Sequence, residues 1–143
     1  IVADHVILVN NATLGGHVHV GEWGIIGGLS AIHQFVRVGK HAMIGGMSGV
    51  EQDVIPYGSV TGNRARLQGL NIVGLKRRSF SRDDIHEMRK AYRLIFAAEG
   101  TMAERLEDVA EDFGNNEAVM DILQFIRANS SRAICQPAMD DAA

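Results

Sequence analysis

Residues 14–49 divide into six hexapeptides, LGGHVH VGEWGI IGGLSA IHQFVR VGKHAM IGGMSG, and each begins with an aliphatic residue. The spacing continues on both sides, so that nine aliphatic residues lie six apart: Val2, Leu8, Leu14, Val20, Ile26, Ile32, Val38, Ile44 and Val50. An amphipathic helix needs apolar residues about 3.6 apart and a half-buried strand needs them about two apart, so neither fits. The period instead predicts very short strands joined by sharp turns, as in a hexapeptide β-helix.

Stacking of coils predicts which residues of the β-helix share a column. Three hexapeptides form one triangular coil, so residues 18 apart should stack and pair as parallel strands. Asn10, Gly28 and Gly46 fall in one such column. Two aligned glycines would leave a groove for a narrow, extended ligand such as an acyl-pantetheine arm. Glycine also suits tight turns without any ligand, so the column alone leaves both interpretations open.

The repeat divides the chain into three segments. Residues 1–57 are predicted to form β-helix coils, because the pattern fails near Pro56, and residues 58–79 are predicted to form an ordered loop. Residues 80–143 show helical spacing, with helix starts predicted at Ser81, Thr101 and Asn116 from their capping side chains. The predicted fold class is therefore β + α: a left-handed parallel β-helix followed by a C-terminal three-helix domain.

Composition limits the class of protein. The single cysteine, Cys135, excludes a disulfide framework and fits a reducing cytoplasm. No apolar run of about 18 residues is present, so we expect no membrane span. The net charge of −3 conceals a basic segment at Lys76, Arg77 and Arg78, although such a cluster is often only a solvated surface. Because the repeat is already running at Val2, we expect the natural protein to extend upstream and this chain to be a C-terminal fragment.

Two histidines stand out from the repeat. His33 occupies a position that is glycine in five other hexapeptides, and His17 follows Gly15 and Gly16, whose backbone N–H groups could stabilise an oxyanion. A lone histidine on a β-helix is more often an ordinary surface residue, so the pattern alone does not assign a role. No set of histidine, cysteine or carboxylate side chains has metal-ligand spacing, and we expect neither a metal nor a cofactor.

Three stretches together carry a resemblance to one family. They are NNATLGGHV at residues 10–18, GGLSAIHQF at residues 27–35 and GLNIVGLKRR at residues 69–78 followed by FSR. The sequence resembles the UDP-N-acetylglucosamine O-acyltransferases of lipid A synthesis over nearly its whole length. This resemblance implies a homotrimeric, cytoplasmic enzyme with sites between subunits and no nucleic-acid partner. Its reaction would transfer a 3-hydroxyacyl chain from acyl carrier protein to the 3-hydroxyl of UDP-N-acetylglucosamine.

The resemblance also implies roles for individual residues. Gly16 would supply the oxyanion N–H, and His33 would support catalysis. The remaining positions match the substrate-binding parts of the family: His17 and Gln34 in the substrate site, Asn10, Gly28 and Gly46 in the acyl groove, and Asn71, Arg77 and Arg78 in the nucleotide-contacting segment. Guanidinium groups suit the diphosphate of such a substrate.

Two departures from the family pattern affect the site. Val73 stands where the family often has an acidic residue near the nucleotide, and an apolar side chain cannot make that hydrogen bond. By the family pattern, the catalytic histidine lies two residues before Ile1, which is 18 residues before Gly16, in a segment this chain lacks. We therefore expect the chain alone to be inactive, since none of its own histidines replaces that base.

Two other functions remain open at this stage. One is another hexapeptide acyltransferase, such as the N-acyltransferase that acts on UDP-acyl-glucosamine, although the Lys76–Arg78 segment and the helical tail disfavour it. The other is a non-catalytic fragment that trimerises or binds the carrier protein, which fits the absence of the base. A histidine two residues before Ile1 would discriminate in favour of catalysis.

Overall fold

The computed structural model describes residues 1–138 and shows a β-helix built from two-residue strands. In chain order these are β1 (Ile7–Leu8), β2 (Thr13–Leu14), β3 (His19–Val20), β4 (Ile25–Ile26), β5 (Ala31–Ile32), β6 (Arg37–Val38), β7 (Met43–Ile44) and β8 (Gly49–Val50). They stack in parallel as three faces, the β1 face (β1, β4, β7), the β2 face (β2, β5, β8) and the β3 face (β3, β6). Paired residues are 18 apart, as Ile7 with Ile25 and Thr13 with Ala31 show, so the predicted register and fold class are confirmed.

The aliphatic residue of each hexapeptide points into the β-helix. From Val20 to Val50 these side chains are at most 2% exposed, which makes them the core of the coils. Burial decreases toward the first coil, where Val2 and Leu8 are each 47% exposed. The core therefore depends on contact between successive coils, and the first coil has a neighbour on one side only among the described residues.

Every corner of the β-helix places a non-glycine residue in the left-handed backbone region. Nine corner residues have φ between 58° and 66°: His5, Asn11, His17, Trp23, Leu29, Phe35, His41, Met47 and Tyr57. The faces divide these residues into three columns. We call them the aromatic corner (His5, Trp23, His41, Tyr57), the glycine corner (residues 9–11, 27–29 and 45–47) and the histidine corner (residues 15–17 and 33–35).

Residues 58–79 form regular structure, so the prediction of an ordered loop there is wrong. Strand β9 (Gly58–Thr61) stacks on β7 with Val60 opposite Ile44, an offset of 16 rather than 18. Strand β10 (Arg66–Leu70) then pairs antiparallel with β9, and the short helix α1 (Ile72–Arg77) follows. The coil loses two residues at the Pro56 turn, which shifts the repeat out of phase and hides this last strand from a six-residue search.

The three predicted helices are present as α2 (Arg82–Ile95), α3 (Met102–Phe113) and α4 (Glu117–Arg127). Their predicted caps are confirmed, since Ser81, Thr101 and Asn116 each accept a hydrogen bond from the backbone N–H three residues on. In the part of the chain that the structure describes, no helix is long and apolar enough to cross a bilayer.

The segment after α4 returns to the β-helix and is held by a buried carboxylate. The Asp53 side chain is completely buried and contacts Arg37 Nε at 2.8 Å and Ser130 Oγ at 2.5 Å. The Asp53 backbone also donates to Ala133 O and accepts from the Cys135 N–H, each at 2.8 Å. One residue in the last coil thus connects the β-helix, α4 and the C-terminal segment.

Candidate substrate-binding site

The aromatic corner carries a stack of rings that supports a cationic side chain. Successive centroids of its four rings are 4.1, 6.4 and 5.3 Å apart. The guanidinium carbon of Arg78 lies 3.4 Å from the Trp23 ring centroid, a close cation–π contact. Phe80 meets the His41 and Tyr57 rings edge-on at 5.7 Å. The segment that carries Arg78 is therefore fixed against the β-helix by its aromatic neighbours.

A cavity of about 530 Å³ lies between this segment and the β1 face. Its floor contains Ile25 and Met43, and Arg77 and Arg78 contribute its cationic side. Val73 also lines the cavity and is 60% exposed, so the position where the family often has an acidic residue offers only an apolar surface. The cavity combines an apolar floor with two positive charges, which suits a base or sugar attached to a phosphate group.

Asn71 lies at the same cavity, but its side chain has structural partners. Its Oδ1 accepts from the Gly74 N–H at 3.1 Å and its Nδ2 donates to His41 O at 3.0 Å. These bonds cap α1 and tie it to the aromatic corner. The predicted role of Asn71 in nucleotide contact stays a prediction, and in this arrangement its side chain positions Arg77 and Arg78.

The environment of His41 opposes its protonation. Burial lowers the pKa of His41, and the nearby charges of Lys40 and Arg78 lower that pKa further. The carboxylates of Glu22 and Asp121 act in the opposite direction but have smaller effects. A neutral His41 avoids an additional positive charge beside Arg78 in the aromatic stack.

Acid is therefore expected to weaken the fold through His41. Its pKa is below 6.5 in the folded state, so below about pH 6.5 the unfolded chain binds a proton that the folded chain excludes. The free energy of unfolding should fall with decreasing pH by up to about 1.4 kcal/mol per pH unit for one proton. A His41→Phe variant, unfolded with urea between pH 7 and 5, should show a smaller decrease than the wild type; equal slopes would contradict the assignment. Phe35 already occupies the same left-handed corner position, so the backbone accepts phenylalanine there.

The glycine corner contains the predicted column of Asn10, Gly28 and Gly46. Leu29 N donates to Asn10 O at 3.0 Å and Met47 N donates to Gly28 O at 2.8 Å, so successive coils are in direct contact along it. A Cβ at Gly28 or Gly46 would approach other atoms no closer than 3.4 Å, an ordinary contact. A Cβ at the neighbouring Gly27 would lie 2.5 Å from Gly46 N, a severe clash. Packing thus requires glycine at 27 but not at 28 or 46, which supports the interpretation of this column as an open groove.

The histidine corner brings together four other predicted site residues. They are Gly16, His17, His33 and Gln34, all exposed. The His17 ring stacks on Phe35 with centroids 4.9 Å apart and planes within 3°. No atom lies within 4 Å of a Cβ placed on Gly16, and its N–H has no hydrogen-bond acceptor among residues 1–138. That N–H is available as an oxyanion donor.

Arg132 also reaches the histidine corner. Its Nη2 lies 2.5 Å from His33 Nδ1, and its Nε donates to Gln34 O at 3.2 Å. This residue was not predicted from the sequence, because 99 positions separate it from His33.

One copy of the chain does not bring all the predicted residues together. Arg77 and Arg78 lie at the aromatic corner, Gly28 and Gly46 at the glycine corner, and Gly16 and His33 at the histidine corner. Each of these corners is separated from the next by one face of the β-helix. The β1 face has the cationic segment on one edge and the glycine groove on the other.

Within residues 1–138, no group of three histidine, cysteine or carboxylate residues is arranged to hold a metal ion. A second cavity, of about 740 Å³, lies beside α1 and α2. Its lining includes four basic side chains, Lys76, Arg82, His86 and Arg89, with the single carboxylate Asp83. The helical part of the chain thus presents a second positively charged surface.

Fold and site together describe a hexapeptide-repeat β-helix of the acyltransferase type with a helical domain attached. Residues 53–135 match the family model described as UDP-N-acetylglucosamine O-acyltransferase, domain 2, and the chain belongs to this family.

Individual relatives agree with this assignment. The chain is 56% identical to an acyl-(acyl-carrier-protein)–UDP-N-acetylglucosamine O-acyltransferase of Caulobacter vibrioides, over 95% of this chain and 52% of that protein. It is similar to the crystal structure of the Arabidopsis UDP-N-acetylglucosamine acyltransferase, with TM-score 0.87, 41% identity, and coverage of 92% of this chain and 49% of that one. The Campylobacter jejuni acyltransferase gives TM-score 0.88 at 37% identity, covering 96% and 53%. The chain therefore spans about half the length of the relatives it matches.

Some site residues were missed although the sequence held a signal for them. His5, Trp23 and His41 are 18 apart, so the register that predicted the glycine column also predicts a ring column. Arg132 and Ser130 had no such signal, since they reach the β-helix through the return of the chain after α4.

Proposed function

We propose that this chain is the C-terminal half of an enzyme that transfers a 3-hydroxyacyl group from acyl carrier protein to UDP-N-acetylglucosamine. The acceptor is the 3-hydroxyl of the sugar, and the reaction is the first step of lipid A biosynthesis. The enzyme is cytoplasmic and needs no cofactor. The relatives' names support the substrates, and the coverage of about half of each relative supports the assignment to one half of the protein.

The arrangement of the β1 face is the single observation that carries this proposal. One edge has a cavity of about 530 Å³ with two guanidinium groups, which suits the nucleoside diphosphate. The other edge has the groove over Gly28 and Gly46, where glycine is not required by packing. A groove without side chains suits a narrow acyl-pantetheine arm. One face therefore offers a place to each of the two substrates.

The remaining site residues support a homotrimer. Gly16, His17, His33 and Gln34 lie on the histidine corner, across the β-helix from the β1 face of the same copy. A cyclic trimer has a heterologous interface, in which one surface of each copy meets a different surface of the next. The histidine corner of one copy would then complete the site on the β1 face of its neighbour.

The mechanism follows from the confirmed register of 18 residues. The general base is a histidine two residues before Ile1, stacked beneath Gly16 at the same corner. This base takes the proton of the 3-hydroxyl, whose oxygen attacks the thioester carbonyl. The Gly16 N–H donates to the tetrahedral oxyanion. Collapse of the intermediate breaks the C–S bond, and the leaving thiolate takes the proton back from the histidine. Since the base lies outside this chain, the chain alone is inactive.

Substitution of Arg78 and His33 in the full-length protein tests the proposal. Arg78→Ala should raise KM for UDP-N-acetylglucosamine about 10-fold or more, because a charge-assisted hydrogen bond contributes about 1.5–3 kcal/mol. His33→Ala should lower kcat/KM for the acyl donor by a similar factor. Both effects are measured by following transfer of labelled acyl chains to the UDP-sugar.

Arg64→Ala is the matched control for Arg78→Ala. The Arg64 side chain is 83% exposed and makes only a 3.8 Å ion pair with Glu51. This variant should retain wild-type kinetics. If Arg78→Ala and His33→Ala also keep near wild-type turnover, the assigned roles are wrong. Failure of the wild-type protein to use any UDP-sugar would reject the proposed reaction itself.

A further inference from the structure

The contact between Arg132 and His33 limits the chemistry of the histidine. A guanidinium group has five N–H donors and no acceptor. An Arg132 Nη2 placed 2.5 Å from His33 Nδ1 therefore requires Nδ1 to accept. In the neutral ring the proton must then lie on Nε2. The Gln34 carbonyl is 3.5 Å from the same Nδ1 and already accepts from Arg132 Nε at 3.2 Å, so it does not compete as a partner for an Nδ1 proton.

Arg132 is itself held in place by the buried carboxylate of the last coil. Its backbone N–H donates to Ser130 Oγ at 3.2 Å, and Ser130 Oγ donates to Asp53 Oδ2 at 2.5 Å. The next residue, Ala133, accepts from the Asp53 N–H at 2.8 Å. The guanidinium therefore starts from a backbone that is fixed to the β-helix on both sides. Geometry of this kind restricts the orientation of the histidine ring as well as its tautomer.

We propose that Arg132 is a positioning residue for His33, which it holds as the Nε2–H tautomer with that N–H directed outward to donate to a substrate oxygen. His33 then acts as a hydrogen-bond donor and not as the proton acceptor of the reaction. The inference rests on the proposed function in one respect, namely that His33 contacts a substrate. The tautomer itself is independent of any activity.

The tautomer is measured by two-bond ¹H–¹⁵N correlation NMR on the full-length protein with ¹⁵N-labelled histidine, at a pH where the His33 ring is neutral. The wild type should show His33 in the Nε2–H form alone. Arg132→Met removes the donor at similar side-chain length, and the Nδ1–H form should then appear beside the Nε2–H form. Arg132→Lys restores a donor without an acceptor and should restore the single form. An Nδ1–H signal in the wild type, or no change in Arg132→Met, would overturn the proposal.

Kinetics test whether Arg132 acts through His33. Arg132→Met should lower kcat/KM about 10-fold, the effect of losing one positioned hydrogen bond, and Arg132→Lys should recover most of it. In the His33→Ala background, Arg132→Met should cause no further loss, because the two residues form one unit. Additive losses would assign Arg132 a merely structural role and reject the positioning role. Arg127→Met, at the exposed end of α4, is the control and should behave as the wild type.

The two readouts separate this proposal from the proposed function. If the wild-type protein transfers no acyl group to a UDP-sugar, the proposed function fails while the NMR result still decides the tautomer. If transfer proceeds normally and the tautomer does not respond to Arg132, only the positioning role fails.

Discussion

Replacing Asp53 by alanine is expected to lower the free energy of unfolding by about 3 kcal/mol, since removal of one partner from a buried ion pair leaves the other charge uncompensated. The Asp53 carboxylate is fully buried and accepts from Arg37 at both Nε and the backbone N–H, at 2.8 and 2.9 Å. The Arg37 side chain remains 22% exposed, which places the effect at the lower end of the range for such pairs.

Arg37 has no other acidic partner to replace Asp53. Its Nη1 donates to Phe125 O at 3.1 Å and its guanidinium lies 4.0 Å from the Phe125 ring centroid. Its Nη2 is buried and, among the described residues, has no hydrogen-bond partner. The loss of Asp53 would leave two of the three guanidinium nitrogens without an acceptor, and Ser130 would lose its bond as well.

Urea unfolding followed by circular dichroism measures this loss in the full-length protein, with wild type and variant at one protein concentration. Glu51→Ala is the control, because the Glu51–Arg64 pair is 3.8 Å long and both side chains are more than half exposed. It should change the free energy of unfolding by less than about 1 kcal/mol. Equal unfolding midpoints for Asp53→Ala and Glu51→Ala would show that the buried pair does not stabilise the fold.

Gly46→Met is expected to change which acyl donors the full-length protein accepts. The added side chain would fill the glycine corner and shorten the groove by about four methylene lengths. Each methylene excluded from an apolar site loses about 0.8 kcal/mol, so kcat/KM for a long donor should fall about 100-fold. Donors shorter by about four carbons should lose little, which moves the preference toward shorter chains.

Gly46→Ala is the matched control, since its Cβ would stand 3.4 Å from Gly28 O and needs no backbone movement. Gly45→Ala makes a useful contrast, because its Cβ would lie 2.9 Å from Thr61 Oγ1. It should reduce stability, whereas Gly46→Met should alter selectivity with little change in the melting temperature. Unchanged chain-length preference in Gly46→Met would refute the groove.

The six-residue spacing predicted the β-helix because each hexapeptide buries one aliphatic residue, and this constraint is local in sequence. The register of 18 residues then placed Gly28 over Asn10 and Gly46 over Gly28, as the structure confirms. The same register failed after Pro56, where a turn shorter by two residues brings Val60 into the column. A periodic search detects only what keeps its phase.

The contacts made by the C-terminal segment could not be predicted in this way. Asp53 lies in the repeat as an unremarkable polar residue, and its partner Ser130 is 77 positions away. Arg132 reaches His33 only because α4 ends at Arg127 and the chain turns back to the last coil. Such contacts depend on helix packing, for which the apolar stripes of α2, α3 and α4 predict burial but not direction.

The left-handed corner residues also bear on how the coils fold. A non-glycine residue in this conformation costs about 1–2 kcal/mol, so three corners cost about 3–6 kcal/mol per coil. The compensating backbone bonds, such as Trp23 N to Asp4 O and His41 N to Glu22 O, connect adjacent coils. A solitary coil would bear the strain without these bonds. Assembly of the β-helix should therefore resemble a helix–coil transition, with an unfavourable nucleus of paired coils and favourable growth by each further turn.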